Sequence, residues 1–90
     1  MIMRKIMPKV IVYGTLLCPY CFAAKRMLKQ SGISFDEIRV DKLPELKQEM
    51  ISKSGRFTVP QIFINEYHVG GYDDLVEHSK SGKLSSLINI

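Results

Sequence analysis

The chain has 90 residues, 46% of them hydrophobic and 24% charged, with a formal net charge of +4. This length suits one domain over residues 1–90, with residues 1–7 as a loose tail, and the composition excludes intrinsic disorder. Basic residues are scattered without a run or a stripe, and no segment approaches the roughly 18 apolar residues of a membrane span. Neither nucleic acid nor a membrane is therefore an expected partner.

The first half of the chain alternates strand and helix patterns. A β-branched and aromatic run predicts a buried strand over residues 10–13. A second strand is predicted over residues 35–40, and a second helix over residues 43–51 is ended by Gly55. Between the two strands, apolar residues recur at helical spacing until Gly32, which suits the end of a helix. These helical positions are Cys21, Ala24, Met27 and Leu28.

The second half begins with a hairpin pattern. Residues 60–64 and 67–69 are strand-like and flank a two-residue connection. Asp73 suits the cap of a helix that runs to Ser81, and a short helical segment follows over residues 84–88. Strands joined through a helix are usually parallel, whereas a hairpin is antiparallel. The order of elements therefore predicts an α/β fold with a mixed sheet and helices on both faces.

The sequence Cys18-Pro19-Tyr20-Cys21 lies where the first predicted strand meets the first predicted helix. Free N–H groups and the helix dipole lower a cysteine pKa from about 8.5 into roughly the 3.5 to 7.5 range, so Cys18 is the expected nucleophile. Cys21 lies one helical turn later and is expected to attack the mixed disulfide that Cys18 forms. Two cysteines this close do not build the disulfide framework of a secreted protein, so a reducing cytoplasm is the expected location.

A Cys-x-x-Cys pair is also half of many zinc sites. Completing such a site takes a second cysteine pair or two closely spaced histidines. The histidines of this chain, His68 and His78, are ten positions apart and are expected to be surface residues. Redox chemistry is therefore the favoured interpretation, and no metal site is predicted.

Three motifs in this order resemble those of dithiol glutaredoxins, most closely the small bacterial glutaredoxin 3 type. They are Cys-Pro-Tyr-Cys at 18–21, Ser-Gly-Arg at 54–56 leading into Thr-Val-Pro-Gln-Ile-Phe-Ile at 58–64, and Gly-Gly-Tyr-Asp-Asp-Leu at 70–75. The resemblance runs from about Lys9 to Leu87. Thioredoxins proper carry Trp-Cys-Gly-Pro-Cys, whereas this chain contains no Trp.

The resemblance implies a thioredoxin fold, with a four-stranded mixed sheet flanked by helices in the order βαβαββα plus a short C-terminal helix. It implies a glutathione-dependent oxidoreductase that reduces protein disulfides and glutathione mixed disulfides. Glutathione would be the reducing cosubstrate, recycled by glutathione reductase and NADPH, and no cofactor would be tightly bound. Disulfide-containing proteins would be the partners of a chain that is expected to be monomeric.

The resemblance also implies a glutathione groove beside the two cysteines. Val59–Pro60 is expected to be a cis peptide that turns the Val59 backbone towards the site, where it can pair with the peptide-like glutathione. Gly71 allows close approach, and Asp73 and Asp74 suit the γ-glutamyl end. Alternatives stay open, since Pro60 can simply open a strand and Asp73 can simply cap a helix. The candidate groove residues are Tyr20, Arg56, Thr58, Val59, Pro60, Gly71, Asp73 and Asp74.

The chain departs from the family pattern at Thr15, where relatives commonly carry a lysine that helps to hold the thiolate and the glycine carboxylate of glutathione. Arg56 is the expected substitute for the carboxylate, and weaker glutathione affinity or a less acidic Cys18 is expected. Two other functions stay open. One is a redoxin reduced by thioredoxin reductase, and the other is an iron–sulfur cluster carrier, although the usual motif of such carriers is Cys-Gly-Phe-Ser.

Overall fold

The structure is a computed structural model that describes residues 8–88, so the tail predicted at residues 1–7 lies outside the described residues. Four strands and four helices follow one another in the predicted order. They are β1 (Val10–Gly14), α1 (Pro19–Gln30), β2 (Asp36–Arg39), α2 (Pro44–Ser54), β3 (Gln61–Ile64), β4 (Tyr67–Gly70), α3 (Tyr72–Ser81) and α4 (Lys83–Ile88). No helix within residues 8–88 combines the length and the apolar character needed to cross a membrane.

The four strands form one mixed sheet in the order β2-β1-β3-β4. β1 and β2, which α1 connects, are parallel, whereas β3 is antiparallel to both β1 and β4. The tight connection between β3 and β4 includes Asn65, which adopts the left-handed conformation that this residue type tolerates (φ 54°). This arrangement is the thioredoxin fold that the resemblance implied.

Alternating side chains of β1 point to opposite faces of the sheet and build two hydrophobic clusters. Val12 belongs to one cluster, together with Leu28 of α1 and Leu75 of α3. Tyr13 belongs to the other, together with Met50 of α2 and Phe63 of β3. Helices therefore cover both faces, as predicted, and β1 is held from both sides.

The segments that carry the candidate site lie at one edge of the sheet, where β1 and β4 end and β3 begins. Because β1 and β3 are antiparallel, the end of β1 lies beside the start of β3. Because β3 and β4 are also antiparallel, β4 ends at this same edge. The loop from β1 into α1, the loop before β3 and the start of α3 therefore meet at one place.

The start of α3 differs from the prediction. The helix begins at Tyr72 with Gly71 as its N-cap residue, so Asp73 lies inside the first turn and does not cap the helix. The carboxylate of Asp74 accepts a hydrogen bond from the Gly71 N–H at 2.9 Å instead. This is the geometry in which a carboxylate at the third helical position reaches back to the cap.

The expectation that both histidines are surface residues is wrong, because each is half-buried. The His78 ring lies with Nε2 2.8 Å from the Tyr67 hydroxyl oxygen and Nδ1 2.7 Å from the Asp74 carbonyl oxygen. His68 Nε2 lies 2.7 Å from Gln61 Oε1. His68 thus contacts a residue of the neighbouring strand, and His78 contacts β4 and a residue one turn earlier in its own helix. The spacing between the two histidines in the sequence does not predict these contacts.

The close packing at Gly70 gives a prediction about stability. Gly70 has φ 117°, and a Cβ there would collide with the Asp74 carboxylate, whereas Gly32 has φ 73° with open space around it. We expect Gly70→Ala to lower the free energy of unfolding by on the order of 3 kcal/mol, since strain and overpacking add. Gly32→Ala, the matched control, should cost about 1 kcal/mol from strain alone. Urea unfolding of both variants measures this, and equal losses would contradict the packing argument.

Candidate redox site

Cys18 is the N-cap residue of α1, with an extended backbone (φ −141°, ψ 102°). Its sulfur accepts a hydrogen bond from the Cys21 N–H, with 3.1 Å between nitrogen and sulfur. Pro19 occupies the first helical position, as predicted, and the first turn of α1 contains no acidic residue. Nothing in that turn opposes the positive end of the helix dipole, so the position favours the thiolate form of Cys18 over the thiol.

Cys21 lies in a different environment although it is only one helical turn away. Its side chain is 1% exposed, whereas Cys18 is half-buried. The two sulfurs form a disulfide, with 5.2 Å between the Cα atoms. Gly14, the last residue of β1, makes room for the buried sulfur, because a Cβ there would lie only 3.1 Å from Cys21 Sγ. One cysteine can therefore be reached by a substrate, and the other can be reached mainly by its partner sulfur.

The loop before β3 faces the two cysteines. Val59–Pro60 is a cis peptide, as the resemblance implied. The Val59 carbonyl oxygen lies 3.9 Å from Cys18 Sγ, and Pro60 is buried. The backbone of Val59 therefore lies directly beside the sulfur that is expected to react.

A groove of about 220 Å³ is lined by Val59, whose carbonyl oxygen lies near Cys18 Sγ, so the groove opens next to the reactive cysteine. All eight candidate groove residues line it, namely Tyr20, Arg56, Thr58, Val59, Pro60, Gly71, Asp73 and Asp74. The structure adds Tyr72, which the sequence reasoning missed although it lies inside the Gly-Gly-Tyr-Asp-Asp-Leu motif. Its ring centroid is 6.0 Å from that of Tyr20, so two aromatic rings stand side by side at the groove.

The two aspartates at the start of α3 have different surroundings. Asp74 Oδ2 accepts hydrogen bonds from the Gly71 N–H and from Arg56 Nη1, each at 2.9 Å. The Gly71 N–H and the Arg56 guanidinium together hold the pKa of the Asp74 carboxyl below its usual value. Asp73 is exposed, and its carboxylate takes part in none of the hydrogen bonds or ion pairs found within residues 8–88. Asp74 therefore shapes the groove, and Asp73 remains open to a ligand.

The loop that leads into Cys18 presents apolar side chains. Thr15 is half-buried, whereas Leu16 and Leu17 are 68% and 91% exposed. The Leu16 N–H donates to Asp41 Oδ2 at 3.2 Å, which ties the loop to the segment after β2. The Arg39 guanidinium holds that carboxylate through two hydrogen bonds of 2.7 and 2.8 Å and lowers the pKa of Asp41. The loop is thus anchored, and Thr15, Leu16 and Leu17 bring no cation to it.

The donors needed for a zinc site do not come together in the part of the chain that the structure describes. Within residues 8–88, no three His, Cys, Asp or Glu side chains converge on one point where a metal ion could be held.

Comparison with known sequences gives a consistent result. A sequence profile described as "Glutaredoxin" matches residues 10–69. A glutaredoxin of Pseudomonas aeruginosa is 49% identical over 83 residues, which cover 92% of this chain and 99% of that protein. Glutaredoxin 3 of Escherichia coli K12 is 45% identical over 82 residues, which cover 91% of this chain and 99% of that protein.

Comparison with solved structures adds a ligand complex. The crystal structure of a buckwheat glutaredoxin–glutathione complex matches this chain with a TM-score of 0.82 and 27% sequence identity. The match covers 90% of this chain and 76% of the buckwheat chain. The fold is therefore shared with a glutaredoxin that has been crystallised with glutathione.

The position of Cys18 at the helix start predicts how added charges change its pKa. Phe22→Glu places a carboxylate in the first turn of α1 and should raise the Cys18 pKa by about half a unit, whereas Thr15→Lys should lower it by a similar amount. Phe22→Gln and Thr15→Gln are the matched neutral controls. Thiolate absorbance of the reduced protein during pH titration measures the pKa. If all four variants titrate like the wild type, the helix start does not control the thiolate.

Proposed function

The chain belongs to the glutaredoxin family of thiol–disulfide oxidoreductases, and we propose that it reduces protein disulfides and glutathione mixed disulfides with electrons from glutathione. The observation that carries the proposal is the groove beside Cys18, with the Val59 backbone on one side and the start of α3 on another. The buckwheat relative, whose complex with glutathione shares this fold, supports the choice of ligand.

The first step uses Cys18. Its thiolate attacks one sulfur of the substrate disulfide, a mixed disulfide forms, and the other sulfur leaves as a thiolate that takes up a proton. The N–H of Cys21 and the helix start stabilise the attacking thiolate. Cys18 suits this role because it is half-exposed at the groove, whereas Cys21 is not.

The second step releases the substrate by one of two routes. For a protein disulfide, Cys21 loses its proton and attacks Cys18, which forms the Cys18–Cys21 disulfide and frees the substrate as a dithiol. Two glutathione molecules then reduce the enzyme and leave as glutathione disulfide, so two electrons enter for each disulfide reduced. For a mixed disulfide of glutathione on Cys18, a second glutathione attacks the glutathionyl sulfur directly, and Cys21 is not needed.

The groove offers a partner for each part of glutathione. The Val59 backbone can pair with the peptide groups of the ligand as an added strand would. Asp73 is the carboxylate left open for the γ-glutamyl amino group, and the N–H groups at the start of α3 suit the γ-glutamyl carboxylate. Arg56, with Thr58 alongside, is the cation for the glycine carboxylate, although its guanidinium is already paired with Asp74.

The proposal also concerns where and in what state the chain works. All the groove residues and both cysteines come from one chain, so a monomer suffices for the chemistry. Glutathione reductase and NADPH would act only indirectly, by regenerating glutathione. Because the reaction consumes reduced glutathione, we place it in a reducing cytoplasm.

Single-cysteine variants test the two roles. Cys18→Ser should abolish all activity, because the nucleophile is lost. Cys21→Ser should retain turnover of a glutathionylated peptide, coupled to glutathione reductase and NADPH, but lose most reduction of a protein disulfide. Measuring both substrates with both variants separates the roles, and Thr58→Ser serves as a mild groove control that keeps both cysteines. Equal losses for the two cysteine variants on both substrates would overturn the assignment.

A further inference from the structure

Gln61 is a polar side chain that is completely buried, with an exposure of 0%. It is the first residue of β3, three residues after Thr58. Its carboxamide nitrogen donates hydrogen bonds to the Thr58 carbonyl oxygen at 3.0 Å and to Thr58 Oγ1 at 3.2 Å. The two N–H groups of the carboxamide therefore both donate to Thr58, a residue of the groove wall.

The other end of the Gln61 carboxamide is held by His68 of β4. Gln61 Oε1 lies 2.7 Å from His68 Nε2, and because the oxygen can only accept, His68 must donate from Nε2. The imidazole is stacked on Phe63, with 4.8 Å between ring centroids and 26° between ring planes. Burial is the main cause that lowers the pKa of His68 and so favours the neutral ring. The ring is therefore fixed in both position and tautomer.

The hydrogen bonds from His68 through Gln61 end at Thr58, which directly precedes a residue that lies close to the Cys18 sulfur. Thr58 belongs to no helix or strand, since α2 ends at Ser54 and β3 begins at Gln61. The next residue, Val59, has its carbonyl oxygen 3.9 Å from Cys18 Sγ. A link from the outer strand β4 through β3 therefore fixes a part of the groove wall that lacks regular secondary structure.

We infer that His68 and Gln61 are positioning residues, which hold the Thr58–Val59 backbone in the conformation that receives the glutathionyl group. This inference rests on the proposed function for its ligand. Neither residue lines the groove or contacts a reacting sulfur. Their effect should therefore fall on recognition of glutathione and not on the reactivity of Cys18.

The physical reason lies in the cost of ordering a loop. Without the donor at His68, the buried Gln61 oxygen loses its partner and the carboxamide is free to turn away from Thr58. The Thr58–Val59 segment then samples more conformations, and ordering it on binding makes the free energy of glutathione binding less favourable. A disulfide substrate that makes no backbone contacts with this segment does not incur that cost.

A pair of His68 variants separates the hydrogen bond from the ring. His68→Phe keeps a ring against Phe63 but removes the donor, whereas His68→Gln keeps an N–H donor near the Nε2 position but removes the ring. With a glutathionylated peptide, we expect kcat/KM of His68→Phe to fall about fivefold and that of His68→Gln to stay near the wild-type value. With an aromatic disulfide that lacks a peptide group, the second-order rate constant of both variants should stay within about twofold of wild type.

Amide hydrogen exchange of Val59 gives a second readout that does not depend on turnover. It should accelerate in His68→Phe and in Gln61→Met, but not in His68→Gln. Equal losses on both disulfides, or unchanged exchange and unchanged kcat/KM in His68→Phe, would overturn the inference. If the wild type does not process the glutathionylated peptide, the proposed function fails, and the exchange data alone then decide whether His68 holds this segment.

Discussion

The structure depends on one junction, where the interior strand β1 ends and α1 begins at Cys18. At this junction, the Cys21 N–H donates a hydrogen bond to the Cys18 sulfur. It places a nucleophile at the positive end of a helix, and it sets the second cysteine one turn behind, in the core. Hydrophobic clusters pack against β1 on both faces of the sheet, so the difference in exposure between the two sulfurs follows from the fold.

The groove follows from strand directions more than from any single residue. The antiparallel pairs β1–β3 and β3–β4 bring the cis Val59–Pro60 loop and the start of α3 to the edge where Cys18 lies. Within that frame, the ion pair between Arg56 and Asp74 joins the loop to the helix. This pair is partly exposed, so its contribution to stability is small, and its importance is in shaping the groove.

Much of this arrangement could be predicted from the sequence, because the patterns involved are local. Hydrophobic spacing and glycines predict the order of elements, and Cys18-Pro19-Tyr20-Cys21 at the start of a helix indicates redox chemistry without any family resemblance. The cis peptide and the groove residues came from the resemblance, since no local rule distinguishes Pro60 here from a proline that merely opens a strand. The weaker glutathione affinity or less acidic Cys18 expected from Thr15 stays a prediction.

The features that sequence reasoning missed are those that depend on register between elements. The N-cap of α3 is Gly71, two residues before the predicted cap Asp73, and Asp74 accepts the hydrogen bond from the Gly71 N–H. The sequence pattern also did not single out Tyr72, whose ring lies beside that of Tyr20. His68 looked like a surface residue because its partner, Gln61, is set by the pairing of β3 with β4. Hydrogen bonds between side chains on different strands carry no signature in a single sequence.

We propose that glutathione itself supplies electrons to the Cys18–Cys21 pair. The most direct measurement mixes the oxidised protein with reduced glutathione alone and follows loss of the disulfide by thiol alkylation and mass spectrometry, beside a parallel reaction with thioredoxin reductase and NADPH. The account predicts reduction by glutathione, with glutathione disulfide as the product, and little or none by thioredoxin reductase. Reduction by thioredoxin reductase alone, with the disulfide intact in glutathione, would contradict it.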